Sequence, residues 1–327
     1  MATYYVSTTG SDGAAGTSEG AAWATIDKAM NTVVAGDKVW IKGNGNYNET
    51  ATIDTTGTVA SPIAFEGYSS VTGDNGMATI NGQATRANGI TNTTSAAASI
   101  FYIFKNFRIT NHTQVGVLLS SLHFHFKRCK FDTNGTTTSH HGITVKTATF
   151  ESCDFMDNAG HGLSLTTGPL VCVGCRFYRN GSDGVALGSN DAVFFGCEFF
   201  SNNTNGISGG SLSGSLVVVI NCTIDGDSQD TVKGISCGTS VESFLVVLNS
   251  VIYDCGTGIV ADMPGDNKIS RNNLVNGNGT AYTNFSTLTG EITSAPAFNS
   301  ESTNDYRPGT GSPLKNAGYD ANTIEGF

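Results

Sequence analysis

The sequence predicts an all-β solenoid, a single-stranded parallel β-helix of about ten coils with a short N-terminal capping helix. Two observations predict it: the composition and a repeat of 22 to 28 residues. Glycine is abundant, with 41 residues, proline is scarce, with 6, and charged residues make up only 13% of the chain. Strand-forming residues separated by small turn residues are what each coil of a solenoid needs.

The repeat has the form Cys-x-Phe-x-x-Asn, followed within a few residues by Gly and an aliphatic residue. Its copies begin at Asn106, Cys129, Cys153, Cys175, Cys197, Cys222, Ser250 and Asn273. The spacing fits one coil of three short strands. Leucine-rich repeats share this period but need a Leu-rich consensus and usually a helix, and propeller blades are nearly twice as long.

Residues at one repeat position stack at the inter-strand spacing of about 4.8 Å, so they form columns. One predicted column is an asparagine ladder at a corner, made of Asn111, Asn134, Asn158, Asn180 and Asn202. The other is a column of buried free thiols, made of Cys129, Cys153, Cys175, Cys197 and Cys222. A thiol in a close-packed interior behaves as a small hydrophobe. Both columns are expected to be structural, and unpaired thiols favour assembly in a reducing cytoplasm.

Segments near the two ends, together with the repeats, carry a wider resemblance. They are Tyr4 to Ser7, Gly10 to Asp12, Trp23 to Ala29, Gly36 to Val39, Gly45 to Thr50, Ser61 to Ile63, Ala295 to Phe298, Asp305 to Pro308 and Gly311 to Leu314. Over essentially its whole length the chain resembles the right-handed parallel β-helix proteins of the pectate-lyase-like superfold. The resemblance implies a right-handed β-helix but no single chemistry, because the superfold includes polysaccharide lyases, glycosidases, phage tailspikes and proteins without known catalysis.

A short helix is predicted near the N-terminus, behind a Thr cap. Ile26, Ala29, Met30 and Val33 follow helical spacing there. As the resemblance implies, this helix would cover the open first coil, whose sheet edges would otherwise promote aggregation. The predicted parts of the chain are a strand and capping helix over 1–40, β-helix coils over 41–280, and a tail over 281–327 that packs on the solenoid.

The formal net charge of −10 argues against a nucleic-acid or anionic-membrane partner. An acidic polysaccharide would need a local basic patch or bound cations. No stretch approaches the roughly 20 apolar residues that span a bilayer, so no membrane insertion is expected. Met1 is followed at once by strand-like sequence without a visible signal peptide. The predicted location is therefore a virion or an extracellular surface reached by another route.

Titratable residues cluster just before the repeat Gly, where successive coils carry His141, His161, Asp183, Asn205 and Lys233. His141, His161, Asp183 and Lys233 are the catalytic candidates, because imidazoles and a carboxylate on neighbouring coils can bind a metal or transfer protons. They are equally consistent with polar corner residues in water. A loop with Asp225, Asp227 and Asp230 offers oxygen ligands for Ca²⁺, without the spacing of a specific calcium loop. No cofactor is required by these patterns.

The strand before each Cys lies beside the active-site groove in polysaccharide lyases of the superfold. Alternation predicts that its outward residues are Val171, Val173, Val193, Phe195, Val218, Ile220, Val246 and Leu248. Only the early coils place charges there, Lys127 and Glu151. An apolar face this long should be covered, either by the C-terminal segment with Phe285, Phe298 and Tyr306 or by other subunits. It also lacks the charged array that a uronate lyase needs.

These observations favour a surface-displayed β-helix without catalysis, a phage- or virus-type virion protein of the spike, fibre or decoration kind. It would form a homotrimer through the apolar face or bind other virion proteins, and contact polysaccharide through polar loops. The alternative is a secreted polysaccharide lyase or glycoside hydrolase, and a third reading is an adhesive cell-surface domain. Hydrolysis needs two carboxylates about 5 to 9.5 Å apart, from Asp132, Asp154, Asp157, Asp183 and Glu198. Lyase chemistry needs a base such as Lys146, His161 or Lys233 near Ca²⁺.

Overall fold

The structure, a computed structural model, describes residues 1–92, 99–120, 122–209, 214–238, 242–263, 267–285, 288–303 and 305–314. The chain divides into two compact units. The first is Met1–Val171 with Asn180–Ser182, and the second is Cys172–Arg179 with Asp183–Phe327.

The first unit is built from short strands, with one short α-helix among its described residues. Its elements are β1 (Thr3–Val6), a 3-10 turn (Glu19–Ala21), α1 (Ile26–Met30), β2 (Lys38–Lys42), β3 (Asn46–Tyr47), β4 (Ala51–Ile53), β5 (Ile63–Tyr68), β6 (Ala78–Asn81), β7 (Ile90–Asn92), β8 (Ser99–Lys105), β9 (Phe107–Thr110), β10 (Val117–Leu118), β11 (Leu122–Lys127), β12 (Lys130–Asp132), β13 (Ile143–Val145), β14 (Ala148–Glu151), β15 (Asp154–Met156) and β16 (Leu163–Leu165).

The second unit continues with strands, and β17 (Leu170–Val173) begins in the first unit and ends in the second. Its further elements are β18 (Arg176–Tyr178), β19 (Val185–Ala186), β20 (Ala192–Phe195), β21 (Glu198–Phe200), β22 (Asn205–Ser208), β23 (Leu216–Ile220), β24 (Thr223–Cys237), β25 (Phe244–Leu248), β26 (Val251–Ala261), β27 (Lys268–Arg271), β28 (Leu274–Asn276), β29 (Thr280–Thr283), β30 (Leu288–Thr289), β31 (Phe298–Ser300), a 3-10 turn (Glu301–Thr303) and β32 (Asp305–Pro308).

Parallel pairing arranges the strands of each unit in three stacks. In the first unit the first stack is β1-β2-β5-β8-β11-β14, the second is β3-β6-β9-β12-β15 and the third is β4-β7-β10-β13-β16. In the second unit the first stack contains β20-β23-β25-β27-β30, the second β18-β21-β24-β26-β28 and the third β19-β22-β24-β26-β29. The long strands β24 and β26 each belong to two stacks. Left-handed residues, Asp227 and Ser228 in β24 and Asp254 in β26, lie where each strand passes from the second stack to the third.

The predicted fold class is confirmed: the chain is a parallel β-solenoid of about 9 turns, one fewer than predicted. Parallel pairing starts at Thr3 in β1 and reaches Thr289 in β30. Strands of the 1–40 and 281–327 segments, β1 and β30, thus continue the parallel pairing of their neighbours. The helix begins behind Thr25, whose side chain accepts a hydrogen bond from the Lys28 N–H.

Aromatic columns fill the interior of the first unit. Phe65, Phe104, Phe126 and Phe150 stack with ring centroids 5.6, 5.2 and 5.1 Å apart from coil to coil. All eight cysteines are free and buried. The thiol column is close-packed, with the Cys129 N–H directed at the Cys153 sulfur (3.4 Å).

An asparagine column lies at one corner. Asn134 Nδ2 donates to Asn158 Oδ1 (3.2 Å), and Asn158 Nδ2 donates to Asn180 Oδ1 (3.0 Å). Asn111 does not belong to this column: His112 takes its place, with Nδ1 3.0 Å from Asn134 Oδ1. The repeat alignment was wrong by one residue on this coil. Thr110 pairs with Asp132, which sets His112 opposite Asn134.

In the second unit Asn202 Nδ2 donates to the Phe177 carbonyl (2.8 Å), the same kind of bond that Asn158 makes to the Phe131 carbonyl (2.9 Å). Each amide therefore satisfies a buried carbonyl of the preceding coil.

The corner before the second stack has left-handed backbone on successive coils. Residues with positive φ there are Asn106, Arg128, Ser152, Gly174, Gly196, Asn221, Asn249 and Asn272. Asn and Gly adopt this conformation readily, whereas Arg and Ser do so at a cost. The corner is thus a geometric constant of the coil, although its residue type varies.

Candidate functional site

The outer face of the first stack in the first unit is charged and aromatic. We call it the mixed face; it comprises Lys38, Trp40, Lys42, Glu66, Phe101, Lys105, His123, His125, Lys127 and Glu151. The sequence placed charges on the early coils only, at Lys127 and Glu151, and the structure adds Lys38, Lys42, Glu66 and Lys105 from still earlier strands. The segments before residue 106 lack the repeat, so the sequence did not align their outward positions.

A row of charges crosses the mixed face. Strand register places Glu66 beside Lys105, Lys105 beside Lys127, and Lys127 beside Glu151. The ends of the row are neutralised, since Lys38 Nζ lies 3.0 Å from Glu66 Oε2 and Lys127 Nζ lies 2.5 Å from Glu151 Oε1. Within the described part of the chain, Lys105 has no ion-pair partner. The backbone positions of two lysines, Lys105 and Lys127, therefore lie one strand spacing apart in the middle of the row.

An aromatic shelf lies on the same face, two outward positions along the strands from Lys105 and Lys127. The rings of Phe101 and His123 stack with centroids 4.5 Å apart and planes only 3° apart. His123 is exposed and Phe101 half-buried. The shelf borders a cavity of about 250 Å³ whose walls also include Val59, Pro62 and His125. Apolar and aromatic walls with a few polar groups are typical of small-molecule and sugar-sized sites.

His125 and Glu151 are electrostatically coupled beside the cavity. Burial lowers the pKa of His125, an effect that the Glu151 carboxylate opposes and Lys127 and Lys105 reinforce. The hydrogen bond from Lys127 lowers the pKa of Glu151. His125 Nε2 is buried without a hydrogen-bond partner among the described residues, 3.7 Å from Glu151 Oε2. At neutral pH this cluster holds a neutral imidazole next to a carboxylate and two ammonium groups.

The residues predicted before the repeat Gly form two separate contacts, one in each unit. In the first unit the rings of His141 and His161 lie 4.6 Å apart, and the His161 N–H donates to His141 Nδ1 (3.2 Å). In the second unit Asp183 is buried and accepts a hydrogen bond from Asn205 Nδ2 (2.6 Å). Lys233 is exposed and pairs in register with Asn205. Among the residues that the structure describes, no three His, Cys, Asp or Glu side chains are grouped to hold a metal ion.

The loop carboxylates have structural partners. Asp225 Oδ2 accepts from the Tyr306 hydroxyl (2.8 Å) and Asp225 Oδ1 from the Asp227 N–H (2.9 Å). Burial raises the pKa of Asp225. Asp227 Oδ2 accepts from the Ser201 hydroxyl (3.2 Å), and the side chain of Asp230 lies outside the described residues. Asp225 thus anchors the C-terminal segment, and a calcium site here stays a prediction.

Two carboxylates spaced for hydrolysis do not occur on the mixed face. Glu66 and Glu151 are three strand spacings apart, about 14 Å, which exceeds the range of a glycosidase pair. Asp132, a candidate from the sequence, is buried in a bidentate ion pair with Arg108 (2.8 and 2.7 Å). Asp154, another candidate, forms an ion pair with Lys130, with Asp154 Oδ2 3.8 Å from Lys130 Nζ.

The outer face of the first stack in the second unit is apolar. We call it the apolar face; it comprises Val193, Phe195, Leu216, Val218, Ile220, Phe244, Val246, Leu248 and Ile269. Five of these side chains keep between 37 and 49% of their surface exposed. Val173 is also exposed, and Val171, in the first unit, is half-buried. The described outward positions agree with the alternation predicted for these strands.

The described C-terminal segment lies elsewhere. Tyr306 packs against Phe200 of β21, and Phe298 packs against Tyr253 of β26, both in the second stack. Phe285 contacts Tyr282. The described rings of Phe285, Phe298 and Tyr306 thus pack outside the apolar face, so of the two covers that the sequence left open, these residues do not provide one.

Comparison with known proteins identifies the class. The family model described as "Right handed beta helix region" matches residues 86–213 and 147–294, together more than half of the chain. The chain belongs to this family of right-handed β-helix proteins. No curated protein matches the chain. No helix in the described ranges is long and apolar enough to cross a membrane.

Solved structures share the fold at low identity. A pectate lyase, Pel9A, is similar over 93% of this chain and 84% of its own, with 18% identity and a TM-score of 0.69. A glycoside hydrolase is similar over 98% of this chain and 99% of its own, with 9% identity and a TM-score of 0.59. At such identities the likeness shows the fold alone, so chemistry has to be argued from this chain's own residues.

Proposed function

We propose that this protein binds a carboxylate-bearing polysaccharide along the mixed face. The observation that carries the proposal is the placement of Lys105 beside Lys127 on the same face as the shelf of Phe101 and His123, which lies four residues, about 13 Å, away along the strands. The ammonium groups would donate charge-assisted hydrogen bonds to uronate carboxylates. The ring shelf would contact the apolar face of a sugar ring.

The charge distribution supports this choice of ligand. The whole chain has a formal net charge of −10, which would repel a polyanion at long range. The middle of the mixed face is nevertheless locally cationic. Lys38 neutralises Glu66 and Glu151 neutralises Lys127, so the positive charge of Lys105 is not compensated. This is the local basic patch that an acidic polysaccharide requires.

Cysteine usage supports surface display after folding in a reducing compartment, as in a virion protein. All eight thiols are free and buried, an arrangement that oxidative secretion would put at risk. A spike, fibre or decoration protein with glycan contact is consistent with this. Antibody labelling of intact particles or cell surfaces supports the assignment, and labelling confined to the cell interior argues against it.

The experiment is a titration with polygalacturonate, alginate and neutral dextran, followed by calorimetry. We expect binding to the two polyuronates and at least tenfold weaker binding after the double substitution Lys105→Ala, Lys127→Ala, since each lost charge-assisted bond contributes about 1.5 kcal/mol or more. Lys130→Ala is the matched control, because Lys130 lies on β12 in the second stack. Equal affinity for dextran, or an unaffected double variant, would contradict the proposal.

Cleavage of the bound chain is a second candidate function, favoured by the neutral His125 next to Lys127 and Lys105. Elimination needs a base to remove the proton next to the carboxylate and cations to stabilise the resulting charge. The same titrations therefore include ultraviolet absorbance, which reports unsaturated sugar ends. Binding without any unsaturated product leaves an adhesive role, and product formation that His125→Ala or Lys127→Ala abolishes supports a lyase.

A further inference from the structure

We propose that the apolar face binds the same face of a second copy of this chain. Its large exposed side chains include Val193, Phe195, Leu216, Phe244 and Ile269. Large apolar side chains expose on the order of 150–250 Å² when free, so these five and their half-buried neighbours present roughly 500 Å². That is at the upper end of apolar patches on monomers, and it supplies most of the roughly 800 Å² per partner in a standard interface.

The face is regular enough to match its own copy. Register aligns one row of Val193, Val218, Val246 and Ile269 and a parallel row of Phe195, Ile220 and Leu248. Leu216 pairs with Phe244 in a third row. Sheets with such flat apolar faces pack on one another at about 10 Å with interdigitated side chains. A sugar chain, which is polar along its length, would leave these rows poorly covered.

Charged residues at the edges of the apolar face determine how the strands of the two copies are oriented relative to each other. Asp191 and Glu242 lie just before the strands β20 and β25, and Arg271 ends β27. A two-fold axis that runs across the strands reverses their direction in the second copy. It brings Asp191 and Glu242 of one copy over the edge that ends in Arg271 of the other, while strands facing in the same direction would place like charges together. Lys268, at the same edge as Asp191 and Glu242, directs its Nζ to the Met263 and Asn284 carbonyls. The pair is therefore expected to have antiparallel strands across the interface.

The test is the mass in solution across a range of concentrations, by light scattering or sedimentation. We expect a species of twice 34.0 kDa that dissociates at least tenfold more readily in Phe244→Asp. Leu118→Asp is the matched control, because Leu118 is 40% exposed on β10, outside the apolar face. A monomer at all concentrations, a mass of three copies, or equal loss in the control would overturn the proposal.

A charge-reversal pair tests the orientation separately. Glu242→Arg and Arg271→Glu should each weaken the pair, and the double variant should recover at least part of the loss. Thermal unfolding of each variant shows whether the protomer stays folded. Because Glu242 and Arg271 are both exposed, we expect the melting temperature of the protomer to be unchanged. A double variant that is weaker than either single variant would rule out the antiparallel arrangement.

Discussion

His112 occupies a position that asparagine holds on the following coils, and it brings a titratable ring into the corner. Its Nδ1 contacts Asn134 Oδ1, and its Nε2 is buried with no partner among the described residues. Burial lowers the pKa of His112, and the hydrogen bond with Asn134 opposes this only in part. Charging the ring in the folded state is thus unfavourable.

Stability is predicted to fall with acidification because of this residue. Below the ordinary His pKa of 6.5, the unfolded chain binds a proton that folded His112 resists, so the free energy of unfolding decreases as pH falls. His112→Asn should shrink the difference in melting temperature between pH 7.5 and pH 5.5. Part of the difference in melting temperature should remain in this variant, because the pKa of His125 is also lowered. An unchanged difference in His112→Asn would assign the pH dependence to other groups.

At the left-handed corner, residue type does not always reveal the backbone conformation. Asn221 and Gly196 are easily recognised as residues that tolerate positive φ, with values of 54° and 62°. Arg128 and Ser152 adopt the same conformation, at 52° and 53°, without any sequence signal. The stacked strands on both sides impose the corner geometry, so the local preference is overridden.

At the scale of elements, the asparagine column joins the strand stacks of successive coils. Asn158 accepts hydrogen bonds from both the backbone N–H and the side-chain amide of Asn134, and donates to the Phe131 carbonyl and Asn180. Every one of these groups is buried away from water. Such a network is stabilising only while each member is satisfied.

Asn158→Ala is predicted to lower the free energy of unfolding by about 3 kcal/mol, because it leaves several buried polar groups unsatisfied at 1–3 kcal/mol each. Urea unfolding followed by circular dichroism measures this. Thr144→Ala, at a half-buried position in β13 of the same unit, is the control and should change it by less than about 0.5 kcal/mol. Comparable losses in the two variants would show that the asparagine column contributes no more to the free energy of unfolding than an ordinary half-buried side chain.

At the scale of the whole molecule, the outer face of the first stack differs in chemistry between the two units. The mixed face presents ammonium groups and aromatic rings, while the apolar face presents rows of Val, Ile, Leu and Phe. Both faces arise from the same alternation of inward and outward residues, so the fold permits either chemistry. The outward residue types alone distinguish a ligand-binding surface from a packing surface.

Ionic strength is predicted to separate the two proposed interactions. Raising the salt concentration from 0.05 to 0.5 M should weaken polyuronate binding at least severalfold, because the Debye length falls from more than about 10 Å to less than about 8 Å and exposed charges are screened more strongly. Self-association should persist, weakened at most by screening of the rim charges, since burial of apolar surface is not screened. Calorimetry and light scattering on the same samples measure both. Salt-insensitive polyuronate binding, or dissociation of the pair by salt, would contradict the corresponding assignment.

The sequence by itself determined the coil, the thiol column, most of the asparagine column and the outward apolar residues, because each depends on repetition at one fixed position. Tertiary structure alone decided the mixed face, the place of His112 and the path of the C-terminal segment. Lys38, Glu66 and Lys105 come from segments without a readable repeat, and only strand register aligns them with Lys127 and Glu151. Where the repeat is absent, local pattern leaves register undetermined, and packing between coils sets it.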